Sequence, residues 1–283
     1  MPIDPDKALG AVLPSAAWNW AEKDVILYHL GLGAGIPPTD PGELAYSYEP
    51  HLKVLPTFGV QPAFPMLAGI MAVDGLSFNL MSLLHGEQEI ELTGPLPTAA
   101  TSSTTGRVAA IHDKGKAALV VVEATTTDAA GATLCVNRFS LFLRGEGGFG
   151  GDPGPAAPEG PPAREPDHVV ETATLPQQAL LYRLSGDPNP IHADPELARA
   201  AGFERPILHG LCSYGIVAKA AVDTALGGDV AAVARYSARF AGVVLPGETI
   251  VTALWDEGDR IVLSATNKDR GTPVITNAVV VKR

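Results

Sequence analysis

Apolar positions along the chain fall into two similar series. In the first half, strand-like runs occupy residues 88–97, 102–113, 116–128 and 132–143. The intervening "DKGK" and "DAAG" suit tight hairpins. Ahead of them the apolar stretch 63–76, "AFPMLAGIMAVDGL", predicts a buried helix, weakened by Gly69 and Gly75. In the second half, 168–175 reads as a strand, 176–186 as a short helix and 210–226 as a longer helix. Four strands follow at 231–242, 248–257, 260–269 and 273–283. "TIVTALW" and "RIVLSATN" show the partial alternation of strands with one face on a core. A helix followed by an antiparallel meander, twice over, is an α+β pattern. Each sheet would curl around one apolar helix, and joining the two edge to edge would remove exposed strand edges.

Composition adds a boundary. Residues 145–166, "GEGGFGGDPGPAAPEGPPAREP", are dense in Gly and Pro and nearly free of large apolar side chains. Such a stretch builds no core and reads as a linker. It divides the chain into 1–144, a linker at 145–167, and 168–283. Hydrophobic residues make up 46% and charged ones 18%, which supports a folded core.

A net charge of −11 argues against nucleic acid or an anionic membrane as partner. Cys135 and Cys212 lie far apart in apolar surroundings, so neither a disulfide framework nor a cysteine metal site is expected. The start "MPIDPDKALG" has no signal-peptide pattern, and "AALVVV" is too short to span a bilayer. These features point to a reducing, soluble compartment, most simply a bacterial cytoplasm.

The candidate chemistry sits in "SGDPNPIHADP", residues 185–195. Pro188 and Pro190 fix φ and bias Asp187 and Asn189 toward extended backbone. Gly186 would end the preceding helix, and Asp194 would cap the next, with Pro195 at its first position. Asp187, Asn189 and His192 are thereby held on a stiff loop. The plain alternative is two turn residues and a core histidine, but it must explain three convergent groups and two prolines at once. A metal site is disfavoured, because Asp194 has a capping task and no second His or Cys lies nearby in sequence. A carboxylate beside an imidazole more naturally holds a water and moves its protons.

Some twenty residues on, Gly210 falls where the long helix begins. Its N–H would be a free donor at the positive end of the helix dipole, suited to a developing oxyanion. "GLCSYG" is not a nucleophile elbow, and Cys212 has no activating neighbour. "GLGAGIPP" and "GEGGFGGDPG" run into prolines where a phosphate-binding helix should start, so neither is a nucleotide motif. His85 and Gly86 precede the strand at 88–97; the residues alone say little of them.

"YRLSGDPNPIHADPELARAAGFERPILHG" resembles the hydratase motif of the MaoC-like family. With "LHGEQEIELTGPLP", "IHDKGKAALVVVE", "NRFSLFLRGEGGFGG" and "RYSARFAGVVLPGETIVTALW", the whole chain is similar to hydratase 2, the (R)-specific 2-enoyl-CoA hydratases. The resemblance implies a double hotdog fold whose first half has lost its own catalytic loop and gained acyl room. It implies that Asp187 and His192 form an acid/base dyad, that Asn189 helps hold the water, and that Gly210 N–H takes the thioester oxygen. His85, Gly86, Lys114 and Phe240 would line the CoA and acyl site. An acyl-CoA substrate, no cofactor, no metal and a homodimer are also implied. Two alternatives stay open: a dehydratase of carrier-protein-bound acyl groups, and a non-catalytic acyl-thioester binding protein.

Overall fold

Among the described residues, ten strands form one antiparallel sheet, with the five strands of the first half beside the five of the second. The computed structural model describes residues 3–156 and 160–283; residues 157–159 of the expected linker and the first two residues lie outside the described residues. The first half runs α1 (Pro5–Ala8), β1 (Val12–Trp20), α2 (Glu22–Gly31), α3 (Pro41–Ser47), β2 (Leu83–Leu92), β3 (Ala100–Asp113), β4 (Ala117–Asp128) and β5 (Thr133–Arg144). The second runs β6 (His168–Ala173), α4 (Gln178–Tyr182), α5 (Pro195–Ala200), α6 (Gly210–Ala225), β7 (Val233–Phe240), β8 (Thr249–Asp256), β9 (Arg260–Asn267) and β10 (Pro273–Lys282). The sheet runs β1-β3-β4-β5-β2-β7-β10-β9-β8-β6, so that read from its two edges inward it repeats one order of strands. The halves meet where β2 pairs with β7, Gln88 opposite Ala238 and Ile90 opposite Tyr236. The edge-to-edge join expected from the sequence is this seam.

Strand alternation sets which face is dry. On β4, Ala118, Val120, Val122 and Ala124 are buried, while Glu123 between them reaches out to Arg107 and Arg138. The inward faces close on α6, which is buried without a break from Leu211 to Ala218. A Cβ at Gly215 would stand 2.6 Å from Leu32 and 3.0 Å from the Tyr28 hydroxyl, so this glycine lets α2 approach α6 closely.

The first half differs from its expectation. Residues 63–76 hold no α-helix; Phe64–Ala72 is a run of 3₁₀ turns. Met66 and Ile70 are buried there, but Met71 is 48% exposed. Pro65 removes an amide, and Gly69 serves contact rather than helix, since its Cβ would fall 2.6 Å from Pro14. The long helix in this half is α2, which no apolar stripe announces: Glu22, Lys23 and Asp24 crowd its first turn. β2 also begins at Leu83, so His85 and Gly86 lie inside a strand and not ahead of one.

The expected linker is fastened at both ends. The Asp113 carboxylate accepts from Gly115 N (2.8 Å), Gly148 N (2.9 Å) and Gly150 N (2.7 Å). At the far end Arg164 pairs with Asp167 and Glu257, both at 2.9 Å.

A partly buried polar cluster ties α3 to α6. Lys219 Nζ donates to Glu43 (2.6 Å) and Asp223 (2.8 Å), and the Tyr46 hydroxyl donates to Asp223 (2.6 Å). Beneath it His29 Nδ1–H donates to Tyr46 O (2.8 Å), while its Nε2 accepts from Leu55 N (3.2 Å). That pattern requires a neutral ring, and burial pushes its pKa down to about 4. An unfolded histidine takes a proton near pH 6.5, whereas folded His29 refuses it until about pH 4. The stabilisation is therefore whole above pH 6.5 and is lost as pH falls toward 4, at about 1.4 kcal/mol per pH unit for this one group. His85 acts in the same direction. Urea midpoints should fall from pH 7 to pH 5; an unchanged midpoint would refute the argument.

Candidate active site

The loop between α4 and α5 folds back onto the start of α6. Gly186 makes the turn possible. Its φ is +132°, and a Cβ there would lie 3.2 Å from Trp18 and 3.3 Å from Gln61 Oε1. Both neighbours belong to the first half, so the first half presses on the loop. Gly186→Ala should cost about 1–3 kcal/mol by urea titration and lower turnover as well. A variant matching wild type in both would show that the turn tolerates a side chain.

Beyond Gly186, Asp187 is half-buried and His192 is 8% exposed. The Asp187 carboxylate accepts from Asn189 N at 3.2 Å. His192 Nδ1–H donates to Ile207 O at 2.8 Å, which leaves Nε2 as its free basic atom. Burial raises the Asp187 pKa and lowers that of His192, and each partner's charge opposes the shift. Asp187, His192 and His209 each offer a side-chain atom, and the three atoms lie within 4.8 Å of one another. One water with two hydrogen bonds at tetrahedral angle spans about 4.6 Å. The expected carboxylate and imidazole thus meet across a gap that suits a single water.

Next to His209, whose ring stacks on His192, Gly210 opens α6. Among the described residues its N–H has no hydrogen-bond acceptor. The Phe240 ring lies 3.3 Å from where a Gly210 Cβ would stand. His85 meets that ring edge-on, 4.9 Å between centroids. A β-bulge in the β2–β5 register between His85 and Glu87 falls at Gly86, whose Cβ would be 3.3 Å from Ser140 O. His85, Phe240 and Gly210 therefore form one line from the first half to the start of α6. His85 Nε2 is buried with no partner among the described residues, and burial pushes the ring's pKa down to about 4.

Two expected site residues stay outside this line. Asn189 is exposed, and its side-chain oxygen accepts from Ile191 N at 3.2 Å, a turn contact. Lys114 is exposed on the β3–β4 turn, with its ammonium on the carbonyl of Pro153. Register places that turn on the same row as β2: Asp113 opposes Ala118, Ala118 opposes Leu143, and Leu143 opposes Leu83. Asp194 caps α5 as expected, accepting from Glu196 N at 2.8 Å.

His209 is the residue that sequence reasoning missed. It is 1% exposed and stacks on His192 with ring centroids 3.7 Å apart and planes 26° from parallel. Its one early signal is adjacency to Gly210. The stack also bears on metal binding. In-plane lone pairs of stacked rings run side by side and do not converge on one ion, so the Asp187–His192–His209 group is a poor chelator.

Comparison with known proteins gives the family. Residues 157–278 match the family model described as MaoC like domain. A solved structure, the MaoC-like dehydratase from Phytophthora capsici, superposes with a TM-score of 0.89 at 32% identity, covering 99% of this chain and 98% of that one. Fold and site together thus define a MaoC-like hydro-lyase. Residues 18–145 match the MFE-2 hydratase 2 N-terminal domain. Enoyl-CoA hydratase ChsH3 of Mycobacterium tuberculosis is 48% identical over 281 residues, covering 99% of this chain and 98% of its own. The peroxisomal enoyl-CoA hydratase 2 of Arabidopsis thaliana is 39% identical over 293 residues, covering 98% of this chain and 95% of its own. The chain belongs to the hydratase 2 family, a MaoC-like domain following an MFE-2 hydratase 2 N-terminal domain.

Proposed function

We propose that the protein adds water reversibly across trans-2-enoyl-CoA to give (3R)-3-hydroxyacyl-CoA. The observation that carries this reading is the meeting of Asp187 and His192 within one water's span; the unpaired amide of Gly210, next in sequence to His209, supports it. Family membership supports the substrate and the stereochemistry.

The reaction needs a held water, a proton acceptor, a proton donor and an oxyanion donor. The water oxygen bonds to C3 and one of its protons passes to the dyad. Charge gathers on the thioester oxygen, where the Gly210 N–H and the α6 dipole stabilise it. C2 then takes a proton from the dyad. Asp187 and His192 titrate as a pair, so the two transfers belong to the pair. The loop is already ordered by Pro188, Pro190 and the Ile207 contact, so little ordering remains for the moment of reaction.

No cofactor is needed beyond the CoA of the substrate, since the dyad and the amide supply every group. Two buried free cysteines support work in a reducing compartment, which we take as a bacterial cytoplasm, and a homodimer is the proposed assembly. Among the described residues no helix is long and apolar enough to cross a membrane. His85, Gly86 and Phe240 would line the path of the thioester. Lys114, on the same sheet row as Leu83, would face the CoA phosphates. Lys114→Ala should raise KM about two- to fivefold with kcat kept; an unchanged KM assigns Lys114 to its turn alone.

The deciding assay is absorbance loss at the enoyl-thioester band, with chiral analysis of the product. Binding without absorbance loss would indicate a non-catalytic protein. Activity confined to carrier-protein thioesters would indicate the dehydratase alternative.

A further inference from the structure

His209 touches both members of the dyad. Its ring stacks on His192 at 3.7 Å. Its Nε2–H donates to the main-chain carbonyl of Asp187 at 3.2 Å. Its own carbonyl accepts from Cys212 N (3.1 Å) and Ser213 N (3.2 Å), which starts α6 and leaves the amide of Gly210, the next residue, free. The ring also lies against Tyr182, 5.0 Å between centroids. Tyr182 accepts a hydrogen bond from Gln61 Nε2 (3.1 Å), a buried residue of the first half. His209 thus contacts both the dyad and a side chain tied to the other half of the molecule.

We propose that His209 is a positioning residue for the hydration reaction, holding the His192 ring and the Asp187 backbone in fixed relation and keeping water off the buried face of His192. The inference rests on the function proposed above.

The physical case has three parts. A ring held by one hydrogen bond at Nδ1 can still swing about that bond, and a stacked neighbour removes this freedom. The Asp187 carbonyl belongs to the peptide preceding Pro188, so fixing it fixes the direction in which the Asp187 side chain leaves the loop. Finally, His209 itself stays neutral: burial and the neighbouring His192 push its pKa down to about 3. A neutral ring packed on His192 places no second positive charge beside it and keeps that face dry. The titratable and charged groups around the stacked pair are Asp187 on the loop and Tyr182 and Arg183 in the helical turn before it.

The test compares His209→Ala, which loses ring and donor, with His209→Phe, which keeps a flat ring in the same space. Each is assayed for kcat and KM on a trans-2-enoyl-CoA across pH. In parallel the His192 pKa is read by NMR from its ring C–H, assigned with His192→Gln. His209→Ala should lower kcat about 10- to 100-fold at a KM within about twofold of wild type. Water entering the vacated space should move the His192 pKa up toward the ordinary histidine value, and the acidic limb of the rate profile with it. His209→Phe should return the pKa and the limb to wild type and recover part of kcat.

A folded His209→Ala with wild-type kcat and wild-type His192 pKa would overturn the proposal. So would a variant that loses thermal stability and activity while the His192 pKa stays in place, since that pattern is structural only. If wild type itself does not hydrate enoyl-CoA, the functional reading fails, while the NMR comparison still decides whether His209 controls His192.

Discussion

Asp187→Asn should lower kcat by about 10²–10⁴-fold, a loss of about 3–5 kcal/mol of transition-state stabilisation. The substitution is nearly isosteric. An amide oxygen at this position still accepts from Asn189 N, so the loop keeps its turn. What disappears is the carboxylate charge beside His192, and with it the proposed second holder of the water. His192→Gln should lose a similar amount, because it removes the free Nε2 while a Gln amide still reaches toward Ile207 O. The double variant should lose little more than the worse single one, as groups acting as a unit are not additive. Unchanged denaturant midpoints separate this from unfolding. Turnover near wild type in either single variant would sink the dyad assignment. The pair's ionisation also sets the pH dependence: turnover should fall on the acid side as the pair takes up an extra proton, since a fully protonated pair has no site left for the water's proton.

Lys219→Met should lower stability by about 3 kcal/mol without touching the chemistry. That figure is the lower end of what removing one member of a buried ion pair costs, chosen because Asp223 is a third exposed. The Lys219 side chain is 13% exposed and Glu43 is 19% exposed, so the Glu43 carboxylate left behind is poorly hydrated. Burial pulls the Lys219 pKa down, but the bonds to Asp223 and Glu43 outweigh it and hold the ammonium charged. Glu43 also accepts from Gly35 N (2.9 Å), so one substitution disturbs the α6–α3 contact and the loop after α2 together. Adding Glu43→Leu should restore part of the loss, because it removes one stranded charge. A urea titration showing less than about 1 kcal/mol of change for Lys219→Met would mean that the cluster is solvated and contributes little. kcat per folded molecule should stay at wild type in both variants.

Much of the second half was legible from local rules. Alternation along β8 and β9, the apolar run of α6, the Asp194–Pro195 cap and the glycine turn at Gly186 are short-range facts that nearby residues enforce. The first half was less legible because its elements depend on partners far away. α2 carries no clean apolar stripe, since Val25, Tyr28 and His29 are buried by α3, α4 and α6 and not by one sheet face. The stretch 63–76 looks helical in composition, but Pro65 and the Gly69–Pro14 contact turn it into 3₁₀ pieces against β1.

Taken alone, the sequence determined the chemistry on offer: a stiffened Asp-x-Asn-Pro-x-His loop, a glycine at the start of an apolar helix, and two helix-and-meander series. Those are properties of neighbours along the chain, fixed by dihedral restriction and strand periodicity. Only the tertiary structure decided that Lys114 lies on a distant part of the same sheet row as β2, and that His209 stacks on His192. The stack depends on a loop folding back across the start of α6, with Trp18 and Gln61 of the other half close against Gly186. Contacts of that kind join residues far apart along the chain, and no local preference encodes them.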